Sequence, residues 1–369
     1  MLRMTTAGES HGPCLIAVIE GLPAGIALDL DAVNHQLARR QQGYGRNYRQ
    51  KIEQDRVEVL GGLVYGQTIG APLALRIENR DWANWKEKWA SGELPKLTVP
   101  RPGHADYAGM IKYGLDDGRL ILERSSARET AARVAVGAVA RQLLGQFGVQ
   151  LGSYVQQIGN VKADIPALTA TELWALAEQS ELRCPAPQSE QAMKDIIDNA
   201  RRTGDTLGGI FTLSATGVPV GLGTHVQWNR RLDARIAAAI MSIQAIKGIE
   251  IGDGFESAGL PGTIVHDDLY PDGKGGVTRR TNRAGGIEGG MSNGADIVVR
   301  AAMKPIATTA EPHNSVDLTT GEAAKPIYQR SDWCAVPAAA VVGEAMLAWV
   351  LAEALVEKLG GDSLEEMQR

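Results

Sequence analysis

Cysteine is scarce in this 369-residue chain: Cys14, Cys184 and Cys334 are far apart and odd in number. They show no metal-binding or redox spacing, which argues against a disulfide framework and fits a reducing cytoplasm. Positive charge is not in excess either. The net charge is −5, so no global field draws in nucleic acid or an anionic membrane surface. No long apolar run is free of charge: the longest, 335–359, is interrupted by Glu344, Glu353 and Glu357, which speaks against a membrane span. The opening MLRMTTAGESHG has no apolar h-region, so no signal peptide is read. G-x-G-x-x-G between strand and helix and the Walker loop are missing, which removes the Rossmann and P-loop readings, and without a G-x-S-x-G elbow a Ser-His nucleophile is only weakly supported. Without internal repeats or a Pro/Ser-rich linker, residues 1–369 read as one domain, with a loose tail at 360–369.

Glycine, by contrast, is abundant: 43 residues against a usual share of about 7%. Such a chain has many turns and many places where backbone approaches a ligand or other backbone closely. Arginine is clustered, as Arg39, Arg40, Arg46 and Arg49, then Arg124, Arg128 and Arg133, then Arg279, Arg280 and Arg283. Local arginine clusters in an acidic protein suit a small multi-anionic ligand better than a polyanion.

The chain is organised around 101–141, RPGHADYAGMIKYGLDDGRLILERSSARETAARVAVGAVAR. Its polar first half reads as a loop carrying His104, Asp106, Asp116 and Asp117. Ser126 and Glu129 then have capping-box spacing, and Ala131, Ala132, Ala135, Val136, Val139 and Leu143 recur at helical spacing. A buried helix of small residues is predicted, with Arg124 and Ser125 at an N-terminus suited to an anion.

Around this centre, TTAGESHGP (5–13) is a turn with an open Ser10-His11 pair before a strand. Residues 31–42 form a helix with Val33 and Leu37 inward, and GYGRNYRQK (43–51) is either an anion clamp or a solvated basic loop. Segments 57–64 and 71–78 pair as a hairpin. Trp82, Trp85 and Trp89 form a stripe for packing or a subunit contact. Helices are expected at 169–182, where Thr169 and Glu172 make a capping box, at 189–202 and at 232–247. Strands are expected at 149–158, 208–220 and 297–303. The glycine-dense stretches 248–259 and 275–296 read as functional loops or interface arms. Asp332, flanked by Arg330, precedes a helix from 337 to 359 and is either an acid/base group or a helix-entry ion pair.

Seven blocks in this order resemble the chorismate synthase family over essentially the whole chain: GESHG (8–12), RRQQGYGR (39–46), RPGHADY (101–107), RSSARETAARVAVGA (124–138), GIEIGDGF (248–255), GGMSNG (289–294) and RSDWCAVPAAAVVGEAM (330–346). The resemblance implies an α+β fold, a β-α-β sandwich with helices packed between antiparallel sheets, and a cytoplasmic homotetramer. It implies a lyase of the shikimate pathway and aromatic amino acid biosynthesis. The implied reaction is a 1,4-elimination of phosphate from 5-enolpyruvylshikimate 3-phosphate that gives chorismate. Reduced FMN (FMNH2) is required without net redox change. No NADP-binding fingerprint is seen, so a separate flavin reductant is expected. A flavin oxidoreductase acting on a small anion, or a non-catalytic anion-binding scaffold, are the rival readings.

By matching motif positions, the resemblance makes His11, His104 and Asp332 catalytic: His11 near the departing phosphate, His104 by the flavin N1/O2 edge, and Asp332 near flavin N5, assisting proton removal at C6. It gives Ser10, Arg40, Arg46, Arg49 and Arg101 to the substrate. FMN falls to Arg124, Ser125, Ser126, Gln244, Ala245, Gly289, Lys304, Pro305, Ile306, Ala307, Thr308 and Arg330. No metal is implied. Trp333 and Gln244 depart from the commoner pattern.

Overall fold

The computed structural model describes residues 1–46, 52–92, 94–329 and 331–369. Arg49 and Arg330 lie outside the described residues. One antiparallel sheet is built from β1 (Arg3–Ala7), β2 (Cys14–Glu20), β3 (Val57–Gly61) and β4 (Leu73–Glu78), in the order β1-β2-β4-β3. Its register places Leu15 opposite Ile77, Ala17 opposite Leu75 and Ile19 opposite Leu73. All six are buried, because alternate residues of a strand share a face. A second antiparallel sheet contains β5 (Gln150–Ile158), β6 (Val161–Lys162), β7 (Gly209–Thr216), β8 (Ile246–Ile251) and β9 (Ile297–Met303), in the order β8-β9-β7-β5-β6.

The helices of eight residues or more among the described residues are α1 (Leu30–Gln41), α2 (Asp106–Tyr113), α3 (Gly118–Ser125), α4 (Thr130–Gly145), α5 (Ala170–Gln179), α6 (Pro187–Thr203), α7 (Leu232–Met241) and α8 (Val336–Leu359). The fold is therefore α+β, with helices beside antiparallel sheets. Helix α4 packs on β2 and on α8, while α8 packs on β5 and β7. Small residues make these contacts close. A Cβ on Gly137 would lie 2.4 Å from the Cα of Ala345 on α8, and one on Gly343 would lie 2.9 Å from Leu213 of β7. Gly137→Ala is therefore expected to force α4 and α8 apart and to cost about 1–3 kcal/mol, read as a lower urea midpoint at unchanged slope.

Helix α8 is long and apolar enough to cross a membrane by length and composition, yet 94% of its most apolar window is buried inside the chain. Its one central carboxylate, Glu344, is 1% exposed. Arg39 of α1 and Arg141 of α4 each reach it at 2.8 Å, Arg183 at 3.0 Å and the Ser153 hydroxyl at 2.5 Å. Arg39 thus serves the core, although its neighbour Arg40 faces elsewhere.

Four expectations change. The polar stretch 101–125 contains α2 and α3, whose short turns hid their periodicity. Ser126 does not form a capping box: it accepts from the Arg128 N–H at 3.3 Å and starts a 3-10 turn, Ala127–Glu129, before α4, while Glu129 pairs with Arg133. The helix expected to reach 247 stops at Met241, since 246–251 pairs with β9 as the edge strand β8; Ala245, at φ +66°, makes the reversal. The tail is not loose. The Ala24 N–H donates to the Asp362 carbonyl, the Leu364 N–H donates to the Ala24 carbonyl, and Met367 is buried.

Candidate active site

A cavity of about 530 Å³ opens where the ends of several segments meet. His11 enters from the loop between β1 and β2, Arg40 from the last turn of α1, Arg101 and His104 from the loop before α2, and Ser125 to Arg128 with Thr130 from the junction of α3 and α4. Gln244 and Ala245 come from the reversal before β8, Lys304 and 306–308 from the end of β9, and Asp332 from just before α8. Their motifs are distant in sequence because each sits at an element end, and the packing of the sheets and helices gathers those ends.

Five cations line the cavity, Arg40, Arg46, Arg101, Arg128 and Lys304, against three carboxylates, Glu53, Asp81 and Asp332. Arg40 is buried, and Asp55 meets it at 3.1 Å while also meeting Arg128 at 2.6 Å. Burial, with Arg128 and Arg46 near, outweighs Asp55 and pulls the Arg40 guanidinium down to about 10. The Nε atoms of Arg40 and Arg46 are buried without a hydrogen-bond partner among the described residues. Desolvated cations with unused donors favour an arriving anion. The lining also has an apolar part, formed by Leu122, Ile243, Ile306 and, from α8, Ala338, Ala339 and Val342.

Both cavity histidines have a carboxylate partner. His11 Nδ1 lies 2.8 Å from the Glu123 carboxylate, and Trp85 tilts over its ring with centroids 4.5 Å apart. His104 Nδ1 lies 2.5 Å from Asp106, which also takes Arg101 Nε at 2.8 Å. Burial alone would raise the Asp106 carboxyl, but hydrogen bonds from His104 and Arg101 hold it well below the usual carboxylate range. Asp332 meets Arg46 at 3.2 Å.

Of the residues singled out in the sequence, His11, His104, Asp332, Arg40, Arg46, Arg101, Ser125, Ser126, Gln244, Ala245, Lys304, Ile306, Ala307 and Thr308 line this one cavity. Four others do not. Ser10 is buried behind the lining, its hydroxyl 3.0 Å from that of Ser126. Arg124 turns away to the Gly8 carbonyl at 2.7 Å and the Thr6 hydroxyl at 3.1 Å, so it holds the 6–11 loop. Pro305 leaves the lining to its neighbours. Gly289 makes a tight turn with Gly290, at φ +61° and +83°, between the paired strands Ile287–Glu288 and Met291–Ser292, beside the start of α7. Trp333 stays out of the lining too, under the Arg201 guanidinium at 4.9 Å.

Sequence reasoning missed Glu123, Asp55, Arg128 and Trp85 as members of the site. Arg128 lies inside a block that carries the resemblance, and the Trp stripe by its spacing points to packing or a subunit contact; Asp55 and Glu123 carry no local signal.

Two antiparallel sheets with helices, closing on a cationic cleft that holds two histidine–carboxylate pairs, define an enzyme built for a small anionic molecule. A family model described as chorismate synthase matches residues 2–356. Chorismate synthases of Chlorobaculum tepidum and Pelobacter propionicus are each 55% identical over 381 residues, covering 100% of this chain and 96% and 97% of theirs. A crystal structure of chorismate synthase superposes with a TM-score of 0.81 at 45% identity, covering 100% of this chain and 95% of that one. The chain belongs to the chorismate synthase family, carbon–oxygen lyases of aromatic amino acid biosynthesis.

Proposed function

We propose that this chain eliminates phosphate from 5-enolpyruvylshikimate 3-phosphate to give chorismate, with reduced FMN bound in the cavity. The observation that carries the reading is that His11, His104 and Asp332 share one cavity with Arg40, Arg46 and Arg101. The reaction removes an unactivated C6 hydrogen and expels a charged phosphate from a ligand with two carboxylates. Arg40, Arg46 and Arg101 bind those anions; the fork of a guanidinium matches a carboxylate or phosphate edge. His11 supplies a proton or positive charge to the departing phosphate, His104 holds a proton at the cofactor's edge, and Asp332 assists the loss of the C6 proton.

The residues present fit a flavin. Ser125 Oγ and Gln244 Oε1 are buried at the lining without a hydrogen-bond partner among the described residues, and the apolar α8 face offers a wall for a planar ring. Ser125, Ser126, Gln244, Ala245, Lys304 and 306–308 would hold it. When bound, reduced FMN supplies transient electron density to the substrate without net oxidation. Ser125→Ala should weaken FMN binding about 3- to 10-fold, the worth of one neutral hydrogen bond, in a fluorescence-quenching titration. The melting temperature without flavin should not fall, because the hydroxyl bonds to none of the described residues.

The layers support a β-α-β sandwich, and we read the molecule as a cytoplasmic homotetramer supplied by a separate flavin reductant. The test of the function is anaerobic incubation of enzyme, photoreduced FMN and the enolpyruvyl substrate. Equal release of phosphate and chorismate is expected; no phosphate release over the enzyme-free control would reject it.

A further inference from the structure

We propose that Glu123 is the positioning residue for His11. It keeps a proton on Nδ1 in the neutral ring and in the imidazolium alike, so that Nε2 is the nitrogen that takes up a proton and, from the imidazolium, passes it to the ligand. The inference rests on the proposed function only for what Nε2 does, not for how the ring is held.

Glu123 lies near the end of α3 and is 4% exposed. One carboxylate oxygen lies 2.7 Å from the His11 backbone N–H, and the other 2.8 Å from Nδ1. Its own carbonyl accepts the Ser10 N–H at 3.0 Å. An ionised carboxylate only accepts hydrogen bonds, so the Nδ1 facing it must be the donor. Held at both backbone and ring, His11 cannot flip without breaking a buried charge-assisted bond. Trp85 covers a ring face and limits tilt. Arg124, the next residue, grips Thr6 and Gly8, so consecutive residues of α3 clamp the loop that carries His11. His104 is held differently, since its carboxylate is shared with Arg101.

The first test reads the tautomer in the resting protein. The chain has six histidines, so 15N-histidine labelling gives few ring signals, and loss of signals in His11→Asn assigns His11. At a pH high enough that the His11 ring signals no longer shift, the ring should carry its proton on Nδ1. Protonation on Nε2 overturns the proposal without any variant. In Glu123→Gln the amide can donate to the ring, so the Nε2–H tautomer should appear. The kcat for phosphate release should fall by about 10²-fold, within the range of general acid–base catalysis, with KM changing less than about threefold. Glu123→Asp keeps an acceptor and should recover part of the rate. A Glu123→Gln enzyme with wild-type kcat and an unchanged tautomer overturns the assignment. A wild-type protein with the expected tautomer but no phosphate release upholds the positioning and rejects the proposed function instead.

Discussion

His11→Ala and His104→Ala should each lower kcat for phosphate release by about 10²- to 10⁴-fold, the usual worth of a positioned acid or base. The two histidines enter one cavity from different loops, each anchored by a buried carboxylate. Neither is part of the apolar core, so the variants should still fold, but each leaves a buried carboxylate short of a partner and should melt below the wild type. Their binding phenotypes should differ. His11 stands with the loop held by Glu123 and Arg124, so its loss should spare flavin affinity. His104 shares Asp106 with Arg101, so its loss should also disturb the Arg101 guanidinium and raise KM. Anaerobic single-turnover measurements separate these effects from flavin reduction. A His104→Ala enzyme turning over at more than about a tenth of the wild-type rate would remove His104 from the chemistry.

Glu344→Ala should destabilise the fold by about 3–5 kcal/mol, the cost of stranding a buried ion-pair partner. Here the carboxylate is removed from beneath Arg39, Arg141 and Arg183 together. Burial alone would raise the Glu344 carboxyl, but the three arginines hold it down at about 2. A carboxylate depressed in the fold contributes stability that is present above its unfolded pKa of about 4.3. That contribution is lost as pH falls through the folded value. Urea unfolding of the wild type should therefore weaken from about pH 4.5 downward, and Glu344→Gln should flatten that acid limb while being less stable at pH 7. An acid limb of the same depth in Glu344→Gln would show that the cluster does not control it.

The sequence made the elements with strong periodicity legible, and the cavity only in part. Helix α4 and the strands of the first sheet follow from small apolar residues at helical spacing and from alternation. The Thr169 capping box is present in the structure. Helices α2 and α3 were hidden because each has only eight residues, too few for the period to stand out from its glycines and charges. The opposite fates of Arg39 and Arg40 could not be read either. They are adjacent in the last turn of α1, so they point about 100° apart, one to the core carboxylate and the other to the cavity. Which arginine meets which depends on α8, some three hundred residues further on. Glu123 and Asp55 escaped for the same reason, since their partners lie across the fold. Gly289 was placed by its motif, yet its turn belongs to the neighbourhood of α7.

The most direct test of the central claim is the count of reducing equivalents consumed per phosphate released, under strict anaerobiosis with reduced FMN. A lyase that binds reduced flavin in this cavity and returns it unchanged predicts many phosphates per flavin, with consumption near zero and no release when flavin is omitted. One reducing equivalent pair consumed for every product formed, or equal phosphate release without flavin, would contradict it.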